Sequence, residues 1–335
     1  MTTLTDFQST SSAIYPRIEG NNICTWIGFK HVMYVVEEAV VDYFRQNGFH
    51  QRRMYEENGL CLELIESDIR ILHALHIDDQ VSADVSQDAE ADADGELRLH
   101  VTLNVTRGDA TLKAVVCRVG VQFKEDDSPV TAEVKPHPIK ALFPYTVKEI
   151  ARGGDTADTA NLSATKVEVL DGRGTINEPS EVIAALKEKH ATPMVWKWRM
   201  PYFYCHYNER MKLSGYIRLM EEAEDLFLAE NGISIRKMLH DRKWIPVVPS
   251  AQVEILQEAM MEETLYTAYT LVDTYRDFTY THQMDCYVVR DGRLVHTATG
   301  TITHGYARIN DRTDWSLVAF DDETKASIHR NLADA

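Results

Sequence analysis

At 335 residues the chain exceeds one ordinary domain and suits two, each large enough to bury its own core. A formal net charge of −17 argues against nucleic acid, which needs clustered Lys and Arg to neutralise phosphates. No stretch approaches the ~20 apolar residues of a membrane span, and MTTLTDFQST lacks the basic and apolar parts of a signal peptide.

Residues 1–15 are rich in Ser and Thr and are expected to form a flexible N-terminus. Between residues 21 and 49 apolar side chains recur at helical spacing (Val32, Val35, Val36, Ala39, Val40, Tyr43, Phe44), and Asn47-Gly48 supplies a stop. Strands are expected at Cys61–Ile65, Asp68–Leu72 and Gln80–Ser86. The acidic run Asp88–Glu96 reads as a solvated hairpin tip, because like charges repel. Leu97–Thr106 and Thr111–Phe123 follow as a hairpin around Gly108-Asp109. A helical piece around Glu181–His190 lies in a Pro-, Gly- and Asp-rich stretch. Beyond it the plan recurs, with a helix over Tyr216–Leu228 and strands at Gln252–Leu256, Thr264–Thr274, Thr279–Arg290 and Arg293–Ile309. Asp291-Gly292 marks the last turn.

The recurrence is a repeat in register. Glu37-Glu38-Ala39 with Asn47-Gly48 matches Glu221-Glu222-Ala223 with Asn231-Gly232 at a constant offset of 184. The same offset pairs Arg52 with Arg236, Met54 with Met238 and Ile71-Leu72 with Ile255-Leu256, giving 9 identities in 49 positions over residues 37–85. A period this long means two copies of one fold, not a solenoid. Each copy, a buried helix followed by an antiparallel meander, is an α+β unit.

This order resembles the hotdog fold. Tyr216-Ile-Arg-Leu-Met-Glu-Glu-Ala-Glu followed by Asn231-Gly232-Ile233 is similar to the helix of acyl-CoA thioesterases of the 4-hydroxybenzoyl-CoA thioesterase superfamily. Trp244-Ile-Pro-Val-Val, the strand Ala251–Leu256 and the Asp291-Gly292 hairpin follow in that superfamily's order. The first copy matches through Phe29-Lys-His-Val-Met-Tyr-Val-Val-Glu-Glu-Ala. The resemblance implies a double hotdog with domains at 16–124 and 191–312. Residues 125–190 would link them, and 313–335 would form a C-terminal tail.

The resemblance also implies acyl-CoA or acyl-carrier-protein thioesters as substrates, hydrolysed where the two hotdogs meet, and a homodimer of double hotdogs as a further expectation. Many single-hotdog thioesterases carry an Asp ten residues before the tyrosine matched by Tyr216. His206 stands there, and its repeat partner is Asn22. Plant-type acyl-carrier-protein thioesterases carry an Asn eight residues before that tyrosine, which is Asn208 here, whereas their His two residues later is Arg210.

His206 is the first candidate base, because an imidazole titrating near neutrality can orient or deprotonate water. It could equally satisfy loop backbone, and Asn208 could hold the thioester oxygen or cap a turn. Glu221 and Glu222 point roughly 100° apart on a helix, so only one can face a site. The resemblance makes Glu221 the inward one and Glu37 its partner, as base or as a hydrogen-bond anchor. Asn22, His31, Tyr204 and Tyr216 are expected to contact substrate, although His31 could simply be packed. Cys24 and Cys205 read as small core residues. Five scattered cysteines without a CxxC pair fit a reduced cytoplasmic protein. No metal-ligand spacing, glycine-rich phosphate loop or Gly-x-Ser-x-Gly elbow occurs, so neither metal nor cofactor is expected. Dehydration, acyl transfer or decarboxylation, as in some polyketide pathways, and non-catalytic acyl binding remain open alternatives.

Overall fold

The computed structural model describes residues 7–88, 95–131, 136, 139–153, 156–157, 162, 173–207 and 209–330. They fall into two compact units, residues 1–150 with 212–214, and residues 151–211 with 215–335.

In the first unit β1 (Thr10–Ile14) precedes α1 (Phe29–Gln46) and the short α2 (Gln51–Asn58). Then follow β2 (Leu60–Ile71), β3 (Val81–Gln87), β4 (Leu97–Arg107) and β5 (Ala110–Glu125). The strands pair antiparallel in the order β1-β3-β4-β5-β2. Helix α1 is buried along its length through Val32, Met33, Val36, Ala39, Val40, Tyr43 and Phe44, as the helical spacing requires. Along β3 and β4 every second residue is buried, the pattern of a sheet with one face on a core.

In the second unit two short strand segments, Thr156–Ala157 and Thr175–Ile176, precede α3 (Glu181–His190) and β6 (Met194–Arg199). Its central helix α4 (Leu213–Glu230) and short α5 (Ile235–Arg242) come next. Strands β7 (Trp244–Ile255), β8 (Thr264–Tyr275), β9 (Thr279–Arg290) and β10 (Arg293–Ile309) complete the sheet, in the order β7-β10-β9-β8-β6. The central helix, the short helix and the strand after them have the bounds of their first-unit counterparts at the offset of 184. The repeated Asn-Gly explains itself: Asn47 Nδ2 donates to the Tyr43 carbonyl at 2.9 Å, and Asn231 Nδ2 to the Phe227 carbonyl at 2.8 Å. Each side chain thereby satisfies a carbonyl orphaned at a helix end. The Asp291-Gly292 turn forms as expected, with φ of 49° and 73°.

Several expectations are corrected. The N-terminus is not loose throughout, because Thr10–Ile14 pairs with Val81–Val85. The first helix begins only at Phe29. Cys61–Ile65 and Asp68–Leu72 are one strand, bent at a bulge between Leu64 and Glu66. The strand expected from Gln252 starts at Trp244, since a bulge between Val247 and Ser250 takes Pro249 out of the ladder. The short helices α2 and α5 carry too little apolar periodicity to be read, each burying a single methionine, Met54 or Met238. Of the acidic run, residues 89–94 lie outside the described residues, but Glu96 is buried rather than solvated and faces Arg98. Cys24 is exposed, not in a core.

Helix α3 packs Val182, Ile183 and Leu186 against Val195, Tyr266, Ala268, Tyr287 and Leu294 of the second unit's sheet. Its last residue, His190, hydrogen-bonds the Tyr287 hydroxyl at 2.9 Å and faces the Asp285 carboxylate at 3.4 Å. None of the described helices is long and apolar enough to cross a membrane.

Close approach is required at Gly300 in β10. A Cβ there would run into the Gln252 carbonyl and come within 2.9 Å of Met220 Cε on α4. Gly300→Ala is expected to lower unfolding free energy by about 1–3 kcal/mol, the range for overpacking, read from urea denaturation.

Candidate active site

In the second unit the chain reaches α4 through a short, well-held passage. After Pro201, a 3-10 turn over Tyr202–Tyr204 closes with the Tyr204 amide donating to the Pro201 carbonyl at 3.1 Å. Cys205-His206 then pairs antiparallel with Arg210-Met211, and Tyr207 takes a left-handed φ of 51° at the bend. The hairpin is fastened by Met211 N–H to Ala259 carbonyl at 2.9 Å and Met261 N–H to Glu209 carbonyl at 2.7 Å. Gly215 lets the first turn of α4 pass beneath this passage, since a Cβ there would sit 2.6 Å from the Tyr204 carbonyl.

His206 is half-buried in that hairpin, its ring 4.8 Å from Tyr207. Asn208 lies outside the described residues. Tyr204 is buried with its ring 5.1 Å from Trp198. Burial, then a hydrogen bond to Glu222 and that carboxylate's charge, push the Tyr204 phenol up, so it stays protonated and donates. Glu222 in turn pairs with Arg173 and Arg218, whose guanidinium lies over the Phe203 and Tyr204 rings at 5.0 and 5.3 Å. Tyr216 is wholly buried, and burial pushes its phenol up.

Glu221 and Glu222 are both half-buried, and the glutamate that turns fully inward is Glu224. Its carboxylate accepts from the Tyr280 hydroxyl at 2.6 Å, the Tyr269 hydroxyl at 2.8 Å and His282 Nδ1 at 2.9 Å. His304 Nδ1 stands 3.7 Å away. An ionised carboxylate can only accept, so the proton of His282 sits on Nδ1. Burial would raise the Glu224 pKa, but the facing His304 and His282, with hydrogen bonds from His282 and Tyr280, hold it at about 2. The network was legible in part: Glu224 follows Ala223 and precedes Phe227 within the apolar stripe of α4.

In the first unit, α1 and β1 border a cleft of about 800 Å³. Tyr34, Glu37, Glu38 and Asp42 of α1 and Ser12–Ile14 of β1 are among its walls. Glu37 is half-buried there. Asp42 would be raised by burial, yet hydrogen bonds from Ser12 and Gln46 and the Arg45 guanidinium bring it below the usual carboxylate range. His31 is buried against Tyr34 at 5.1 Å between rings, with Glu19 at 3.8 Å. Asn22 is exposed, its side chain accepting from the Ile23 amide at 2.8 Å. Glu37 and Tyr34 therefore share one cleft, whereas His206, Tyr204 and Glu222 cluster in the second unit. Among the described residues no group of three His, Cys, Asp or Glu side chains is arranged to hold a metal ion.

The Glu224 network generates an acid dependence. A carboxyl held near 2 stabilises the fold above its unfolded pKa of ~4.5, and that contribution is lost as pH falls toward 2. Wild type is expected to lose about 2 kcal/mol more than Glu224→Gln between pH 7 and pH 3, measured by urea unfolding at both values.

Residues 201–328 match the family described as the thioesterase-like superfamily. Among solved structures, the chain is similar to an oleoyl thioesterase of Lactobacillus plantarum, at 10% identity and a TM-score of 0.55, over 91% of this chain and 98% of that one. It is similar to the 12:0-ACP thioesterase of Umbellularia californica at 9% identity and a TM-score of 0.54, over 88% and 93% of the two chains. An acyl-ACP thioesterase of Bacteroides thetaiotaomicron gives 9% identity and a TM-score of 0.50, over 88% and 97%. At such identities the likeness is one of fold. No curated protein matches the sequence. With one helix wrapped by an antiparallel sheet in each unit, and the superfamily match on its second half, the chain is a tandem double hotdog that resembles the hotdog-fold thioesterases.

Proposed function

We propose that the chain hydrolyses acyl thioesters of coenzyme A or of a carrier protein. The observation that carries this reading is that the superfamily match begins at residue 201, and so takes in the His206 hairpin together with all of α4. In the proposed reaction a water attacks the thioester carbonyl carbon while His206 takes its proton. The carbon–sulfur bond then breaks, and the protonated His206 returns the proton to the departing thiolate. The unpaired N–H groups at the start of α4 and its dipole supply the donors for the developing oxyanion, with Asn208 as an addition. Glu37 and Glu221 are the alternative bases in this proposal, and Asn22, His31, Tyr204 and Tyr216 are its candidate substrate contacts. A cytoplasmic location is part of the same reading.

A general base contributes about 10²–10⁴-fold, so His206→Ala is expected to lower kcat by at least about 10²-fold. Its thermal midpoint should change little, because the side chain is only half-buried. The assay follows thiol release from a panel of acyl-CoAs, with Glu37→Gln and Glu221→Gln beside it. Near-normal kcat in His206→Ala with a collapse in either glutamate variant would move the base to that glutamate. Consumption of substrate without thiol release would replace hydrolysis by another thioester reaction.

A further inference from the structure

The passage before His206 displays something that the hydrolytic step does not use. Tyr202 and Phe203 are 77% and 55% exposed, among the most exposed large apolar side chains of the protein. They are not loosely held. The turn that carries them is closed by its own backbone hydrogen bond and anchored through the neighbouring Tyr204, buried against Trp198. On α4, Arg218 lays its guanidinium over Phe203, and Arg173, itself 64% exposed at its side chain, meets it on the shared Glu222 carboxylate. Two guanidinium groups thus converge on one carboxylate, and Arg173 keeps its side chain largely open to solvent. In a chain of net charge −17 such a spot is where a phosphate would be attracted.

Exposed aromatic faces stack nucleobases without regard to sequence, and arginine planes do the same while binding phosphate oxygens in bidentate fashion. We propose that Tyr202, Phe203, Arg218 and Arg173 form the docking platform for the nucleotide end of a coenzyme A thioester. Coenzyme A is then the acyl donor, because a carrier protein presents the same pantetheine without an adenine ring to stack. The assignment of substrate class rests on the thioester reading above, but the nucleotide site stands by its own chemistry. Tyr202 precedes His206 by four residues, at most ~14 Å of extended chain plus the reach of two side chains, a separation that a pantetheine arm spans.

The test uses the full chain and two readouts. Adenosine 3′,5′-bisphosphate is titrated by calorimetry into wild type, the double variant Tyr202→Ala with Phe203→Ala, and Arg173→Gln. Wild type is expected to bind, and each variant to bind at least about tenfold more weakly with its thermal midpoint retained. In kinetics, the ratio of KM for acyl-CoA to KM for the matching acyl-pantetheine is expected to rise about tenfold in the double variant. Wild type that does not bind the bisphosphate, variants that bind it as well as wild type, or KM values that rise equally for both thioesters would overturn the platform. Wild type that binds the bisphosphate but releases thiol from no thioester upholds the platform and sinks the hydrolase reading alone.

Discussion

Burial of a central helix on most of its circumference is the constraint from which each unit of this protein follows. A helix so enclosed must carry apolar residues on several sides, must find partners for its end groups without help from water, and must be approached closely by the sheet. The first demand produces the long runs of buried residues in α1 and α4. The second is met at the C-terminal ends by Asn47 and Asn231, which bind carbonyls four residues back. The third places Gly300 of the second unit's sheet against Met220 of α4, where a Cβ would come within 2.9 Å of Met220 Cε. Antiparallel pairing in the same strand order in both units then supplies the covering face.

Within this shared plan the two interiors diverge in chemistry. At the position equivalent to Glu224 the first unit has the buried Val40, with Val36 and Phe44 buried one turn either side of it on α1. The second unit buries a carboxylate at the same point. Taking a charge out of water is costly by several kcal/mol unless every lone pair is matched, and the strands answer with two tyrosines and a histidine. Burial and the Glu224 charge both push the Tyr269 and Tyr280 phenols up, so they remain donors. This network fixes the rotation of α4 about its axis. It thereby decides that Glu221 and Glu222 lie at the helix border, where Glu222 meets Tyr204 of the preceding passage and Arg218 of the same helix.

The junction of hairpin and helix in the second unit joins groups of different kinds in a small space. His206 offers an imidazole, the first turn of α4 follows directly behind the hairpin, and the Tyr202–Tyr204 turn offers aromatic surface with the Arg218 guanidinium over it. These are the elements on which the proposed thioester hydrolysis would draw.

The sequence by itself determined the larger architecture. A constant offset of 184 over helix, stop and strand pointed to a duplicated unit, and Asn-Gly and Asp-Gly carry their own conformational meaning at helix ends and tight turns. The alternation of apolar residues showed the buried face of Val81–Gln87 and Leu97–Arg107, whereas strands such as Leu60–Ile71 are buried on both faces over part of their length. The bulges after Leu64 and Val247 escaped, since a strand that bends looks like two strands or a strand with prolines. Helical spacing gave the angles between Glu221, Glu222 and Glu224 but not the absolute rotation of α4. That rotation was decided by Tyr269, Tyr280 and His282, which lie 45 to 58 residues further along the chain. The cluster at Phe203 was likewise invisible, because Arg218 comes over its ring, and Arg173 meets Glu222 beside Arg218, only through the folded chain. Local patterns fix what each segment can become; only packing decides which side chains meet, because hydrogen bonds and stacking act over a few ångströms in space and not along the chain.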